Sequence, residues 1–369
     1  MSQLPKKSLR ILIKAILLFV IFNYAFALAP EAALWKISLY NTLLPGKTRL
    51  PLENDLDLMF DVHEIASSPR RANEYKVILL GDSSTWGYLL NPDETSASIL
   101  NASGITTCKG QPIHVYNLGY PSISVLKDLI ILQRTTIYKP DLILWNITLS
   151  ALLQKSEQGV KQNVIVNHNQ DIAQDLIKRY SLATQLDTNP GTDNAPSLEH
   201  KTFLDRREEM ARFIKDQLDG VRWQATVGEL VNKAYTPLGM DVKASDTFDL
   251  YNLRPPTLDP KLLEFDVLQA GVSMAGNTPV VIINEPIQIV TGQNSDIRYN
   301  KMYPRWIYDQ YRAMMSAKSE QYHWDYIDLW NIIPPTQFTD TTFHRSAKGE
   351  QRYAQQMEDI ILKHACPGG

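Results

Sequence analysis

The sequence predicts an α/β domain built on a parallel sheet, and two observations carry the prediction. Short apolar runs rich in branched residues recur at 76–80, 114–118, 142–145, 279–284 and 326–329. Each is bounded by turn residues, as buried strands are. Stretches with helical spacing lie between and after them, at 95–100, 127–138 and 347–364. Strands alternating with helices need crossover connections, and those connections make a sheet parallel.

Taken in order, the first run is Lys76-Val77-Ile78-Leu79-Leu80, stopped at Gly81. The second, His114 to Leu118, stops at Gly119, and the helix over 127–138 is ended by Lys139-Pro140. After the third run the rhythm breaks. Residues 151–270 are mostly polar and helical, with Pro/Gly/Asn interruptions, and read as an insertion between the third and fourth strands. The domain therefore covers 75–369, preceded by a linker or N-terminal extension over 31–74 in which 55–65 could form a short helix.

Composition narrows the function classes. The chain has 369 residues, 44% hydrophobic and 21% charged, with a net charge of -3. That apolar content argues against general disorder. Thirty-seven basic residues against 40 acidic ones leave no basic footprint, so nucleic acid is not an expected partner. Cys108 and Cys366 are too few for a disulfide framework and lack metal-ligand spacing; they could form one bridge in an oxidising compartment. His63, His114, His168, His200, His323 and His364 are scattered, and read as structural or solvated. No metal or cofactor is expected, and no Gly-rich phosphate loop supports a nucleotide-binding reading.

The N-terminus suggests a membrane partner. Lys6, Lys7 and Arg10 precede an apolar run over 11–29, interrupted by Lys14 and Asn23. A spanning helix needs about 20 such residues. The basic flank predicts that everything after residue 30 lies outside the cytoplasm. Ala25-Phe26-Ala27 has the form of a signal-cleavage site, so residues 1–30 are an anchor or a signal peptide. Either one exports the domain.

The chemistry concentrates at strand ends. Gly81-Asp82-Ser83-Ser84-Thr85-Trp86-Gly87 follows the first strand, and places a serine at the carboxyl edge of the sheet, where open α/β folds bind ligands. Asn117-Leu118-Gly119 follows the second strand. Asp340 and His344 precede the closing helix, and a serine hydroxyl needs such a base, itself oriented by a carboxylate. In this order the blocks resemble the SGNH (GDSL) hydrolase superfamily over residues 75–150 and 278–365.

The resemblance implies a flavodoxin-like three-layer fold. It implies Ser83 as nucleophile, His344 as base and Asp340 as its partner. It implies an oxyanion hole from the Ser83 and Gly119 amides with Asn146. Two departures stand out. The usual Gly-x-Asn-Asp block is not cleanly present: the chain reads Asn146-Ile147-Thr148-Leu149-Ser150, with Asn146 early and Thr148 or Ser150 as alternatives. Asp340 also lies four residues before His344 rather than three, with Thr341 in the usual place.

Asn284 and Glu285, after the fourth strand, are expected to line the substrate pocket, as could Tyr303, Arg305 and Trp306. The expected activity is hydrolysis or transfer of an acyl ester on an envelope glycan or lipid. The alternative is a catalytically degenerate binding or assembly module on the same scaffold.

Overall fold

The five apolar runs form five strands: β1 (Tyr75–Leu80), β2 (Ile113–Asn117), β3 (Leu142–Ile147), β4 (Val280–Asn284) and β5 (Asp325–Asp328). All four pairings are parallel, and the strand order is β2-β1-β3-β4-β5. That is the flavodoxin-like order, whose switch point lies between β1 and β3. The computed structural model describes residues 6–28, 47–66 except 53, 73–186 except 157, 158, 161 and 162, part of 202–218, and 248–367. The stretches 29–46 and 219–247, which carry parts of the expected extension and insertion, lie outside the described residues.

Alternation along the strands builds two cores. Ile78, Leu80, Ile143, Trp145 and Ile282 face one way, and pack with residues of α5 (Val125–Thr135), α9 (Phe265–Ala275) and α10 (Arg305–Tyr322). Val77, Leu79, Leu144, Val281 and Ile283 face the other, against α4 (Ser96–Ser103) and α11 (Ala347–Ala365). A period of two on strands covered on both faces makes the runs continuously apolar, which is why they were legible. The same unit as the sheet also holds the helices α2 (Leu56–Val62), α3 (Ser83–Trp86), α6 (Leu149–Leu152), α7 (Val164–His168) and α8 (Gln170–Tyr180).

The chain divides into two units, 46–190 with 228–369, which holds the sheet, and 1–45 with 191–227. In the second, α1 (Lys6–Leu28) is a 23-residue helix whose window Ser8–Phe26 has mean hydropathy 2.0 and is only 6% buried. Phe22 and Phe26 hold the ring of Phe203 edge-on, each at 5.4 Å between centroids. Asn23, the polar interruption of the apolar run, accepts the Leu204 amide at 3.0 Å. Its side-chain oxygen is thereby paired inside an apolar surface.

Cys108 and Cys366 are joined as a disulfide across 258 residues, tying the loop before β2 to the end of α11. Disulfides persist in oxidising compartments. The same helix is pinned to the sheet edge by His364, whose Nε2 lies 2.8 Å from Asp325 Oδ2 and whose Nδ1 donates to the Ile360 carbonyl at 2.9 Å.

The Asp325 hydrogen bond raises the His364 imidazole above its ordinary value, and the same bond lowers Asp325. The His364 contribution to stability is complete below the unfolded imidazole value of about 6.5, and fades as pH rises through the raised folded value. The Asp325 contribution is complete above about 3.9, and fades as pH falls through the lowered one. His364→Gln is therefore expected to lower the thermal midpoint at pH 5 and to have little effect at pH 9. Equal shifts in a melting series at both pH values would refute the pairing.

Candidate active site

The turn after β1 is shaped to present a serine. Gly81 sits at φ +155°, and a Cβ there would meet Thr85 Oγ1 at 2.2 Å, so only glycine fits. Asp82 caps α3, its carboxylate accepting the Ser84 amide at 3.0 Å. Gly87 closes the helix in the left-handed region, at φ 86°. Ser83 is the first residue of that single turn, and its amide is one that a helix leaves without an internal acceptor.

His344 arrives from a loop 261 residues later. Ser83 Oγ and His344 Nε2 are 2.7 Å apart, and His344 Nδ1 lies 2.8 Å from Asp340 Oδ1. Phe338 and Arg345 bridge across the loop's neck, and the Thr339 amide donates to the His344 carbonyl at 2.8 Å. Within the loop the His344 amide donates to Thr341 Oγ1 at 3.1 Å, which folds the extra residue away and brings Asp340 to the ring. The four-residue spacing is thus compatible with contact. Burial would raise the Asp340 carboxyl, but hydrogen bonds from His344 and Thr339 and the attraction of His344 hold it below its ordinary value. Ser83 and His344 are 9% and 6% exposed, so the pair sits in a largely desolvated recess. Tyr88, half-buried, stands with its ring centroid 5.0 Å from that of His344.

The expected oxyanion donors fall in different places. Gly119 packs directly on α3: a Cβ there would meet the Trp86 amide nitrogen at 2.6 Å. Its own amide donates to Asn117 Oδ1 at 3.1 Å, while Asn117 Nδ2 donates to the Thr85 carbonyl at 2.8 Å. Asn146 lies inside β3 and is 1% exposed. Its Nδ2 donates to Thr85 Oγ1 at 2.9 Å and its Oδ1 accepts from Tyr353 at 2.7 Å, so it braces the turn that carries Ser83. Thr148 caps α6 by accepting the Ala151 amide at 3.2 Å, and Ser150 Oγ accepts from the Tyr303 hydroxyl at 2.9 Å.

The expectation that Asn284 and Glu285 line a substrate pocket is corrected, since both are 0% exposed. Asn284 donates to Asp328 at 2.8 Å and accepts from Tyr311 at 3.0 Å. Glu285 accepts from Ser84 Oγ and from Arg345 Nη1, the latter at 2.8 Å. Both side chains point into the packed layers, where a polar group survives only with partners. Tyr303 is likewise fully buried, while Arg305 and Trp306 donate to the Ser295 and Phe248 carbonyls.

Sequence reasoning missed the support beneath the pair. Arg345, 1% exposed, bridges Glu285 and, through Nε at 2.6 Å, Glu350, which in turn accepts the Ser96 amide at 3.0 Å. Burial, then the nearby Asp82 charge, push the Glu285 carboxyl up to about 7 against the pull of Arg345. Burial works against the Arg345 cation too, but Glu350 and Glu285 outweigh it and hold it more basic than usual. The one available signal was adjacency, since Arg345 directly follows His344.

No family model and no curated protein sequence matches the chain. Solved structures do. A lipolytic protein of the G-D-S-L family from Veillonella parvula DSM 2008 is 11% identical, covering 78% of this chain and 98% of that one with a TM-score of 0.36. A catalytic mutant of an acetylxylan esterase from Geobacillus stearothermophilus is 12% identical, covering 80% and 97% with a TM-score of 0.38. A carbohydrate acetylesterase from Sinorhizobium meliloti is 12% identical, covering 78% and 98% with a TM-score of 0.34. What the chain has on its own geometry is an α/β fold, a five-stranded parallel sheet flanked by helices, with an apolar helix at its N-terminus.

Proposed function

We propose that the protein is a serine esterase or O-acyltransferase acting on an extracytoplasmic glycan or lipid ester. The observation that carries this reading is the relay Asp340–His344–Ser83, with contacts of 2.8 and 2.7 Å. In the first half-reaction Ser83 Oγ attacks the ester carbonyl carbon while His344 Nε2 takes its proton. The bond between the acyl carbon and the alkoxy oxygen then breaks, and His344 returns that proton to the leaving alcohol. In the second, water or an acceptor hydroxyl gives its proton to His344 and attacks the acyl carbon, the bond from that carbon to Ser83 Oγ breaks to release the acid or the new ester, and His344 hands the proton to Oγ. Asp340 holds the imidazole tautomer and stabilises the transient cation.

The Ser83 amide is a natural oxyanion donor. The Gly119 amide joins it once it turns from Asn117 Oδ1 toward the developing charge, an exchange of one acceptor for a better one. A fluorophosphonate probe tests the relay directly, because it reacts only with an activated serine. Labelling is expected at Ser83 alone, and an unlabelled, folded chain would refute the enzyme reading.

One observation favours the second reading, a binding or assembly protein on the same scaffold. Gly119 and Asn146 are both engaged within the protein, which leaves the oxyanion site thinly supplied. The same probe separates the two.

We place the domain outside the cytoplasm, tethered by α1. The basic flank, the apolar span and the disulfide all support that placement. The protein should stay in the membrane pellet after alkaline carbonate extraction with its N-terminal peptide intact. Release with residues 1–27 missing would replace the anchor by a cleaved signal.

A further inference from the structure

Lys127 carries no role in the reading above, yet its surroundings are unusual for a lysine. It lies in the first turn of α5 and is 0% exposed. Its Nζ donates to the Gly81 carbonyl at 2.8 Å and to the Tyr120 carbonyl at 3.2 Å, and lies 2.6 Å from Asp128 Oδ1. Gly81 opens the turn that presents Ser83, and Tyr120 directly follows Gly119. The Tyr120 amide also donates to the Gly81 carbonyl, at 3.0 Å, so one oxygen joins both loops and the lysine. The anion is tethered as well, since Trp145 of β3 donates its indole N–H to Asp128 Oδ2 at 3.0 Å. A single buried ion pair therefore touches the loops that follow β1 and β2 and the Trp145 side chain within β3, next to the nucleophile and the candidate oxyanion donors.

Stability alone is a weak reason to keep such a pair. Burying both charges costs several kcal/mol of hydration per ion, and apolar replacements of matched volume are often neutral or stabilising. A fixed geometry is a better reason. Catalysis is sensitive to the separation of nucleophile and oxyanion donors, because a misplacement of about 1 Å can cost about a hundredfold in rate. Glycine-bearing loops such as these have no side chain of their own at the critical positions to resist drift.

We propose that Lys127 is a positioning residue that clamps the Gly81 and Tyr120 carbonyls, and so sets the distance between Ser83 and the Gly119 amide. This rests on the esterase reading for its catalytic consequence, although the clamp itself is a structural claim. The test uses the full chain carrying Lys127→Met with Asp128→Asn, which removes the cation without stranding a buried carboxylate and leaves Trp145 an acceptor.

Two measurements are compared with the unaltered protein. Amide hydrogen exchange should rise in peptides covering both the Gly81 and the Tyr120 loops, while the strands and α11 keep their protection. On a chromogenic acetyl ester, kcat should fall about a hundredfold with KM within threefold, and the pH at half-maximal rate should not move, since Asp340 and His344 are untouched. Lys127→Gln with Asp128→Asn retains one donor to the carbonyls. It should recover about tenfold of the loss, and it carries the same comparison if the methionine variant does not fold. Unchanged exchange in both loops, or a kcat within threefold of the unaltered protein, overturns the proposal. An unaltered chain with no esterase activity would refute the enzyme reading instead, and the exchange comparison would then decide the clamp by itself.

Discussion

Replacing Ser83 with alanine is expected to abolish turnover of a chromogenic acetyl ester, lowering kcat on the order of ten-thousandfold or more. The loss should be specific to chemistry. Ser83 sits in a single helical turn whose caps are Asp82 and Gly87, and neither cap uses the Ser83 hydroxyl. The variant should therefore melt within a few degrees of the parent and lose fluorophosphonate labelling completely. His344→Ala should fall about as far, because the two act as one unit and their losses do not add. A Ser83→Ala protein retaining more than a tenth of the parental rate would remove the nucleophile assignment.

The largest effect on stability is expected at Arg345→Met. Its guanidinium bridges Glu285 and Glu350, and all three side chains are at most 2% exposed. Methionine fills a similar volume but leaves two carboxylates uncompensated in the interior. Breaking such a pair by removing one partner costs roughly 3–5 kcal/mol, and here one cation serves two anions. Urea unfolding should show the midpoint falling with little change in slope, the signature of lost stability rather than an altered unfolded state. Adding Glu285→Gln and Glu350→Gln should restore most of the deficit, since neutral amides need no counter-charge. A single variant within about 1 kcal/mol of the parent would mean the network is not held by charge.

Much of the fold was legible because a sheet buried on both faces writes itself as continuous apolar runs, and all five strands fall on such runs. Ser83 was legible for a related reason: a Gly-Asp-Ser immediately after the first run fixes its place at the sheet edge. Side-chain direction at strand ends was not legible. Asn284 is the last residue of β4 and Glu285 the next, and a one-residue difference there decides between a pocket wall and the packed interior. Nor was the charged support readable. Glu285 lies 60 residues from Arg345 and 201 from Ser84, and no local pattern links them. Nor does the helical spacing over 127–138 reveal that Lys127 and Asp128 are buried, since acidic residues are common in the first turn of any helix. The Asp340 spacing looked like a defect because a count along the chain takes no account of how Thr341 folds the loop.

The 261-residue interval between hydroxyl and imidazole also dictates when competence can arise. A polypeptide synthesised from its N-terminus makes Ser83 261 residues before His344, so on the esterase reading a product that stops between them is inert. On the tethered reading, the chain threads through the bilayer in that same order. If it is also an esterase, ester-bearing metabolites on the side of synthesis never meet the assembled pair, because Ser83 and His344 join only once residue 344 has crossed.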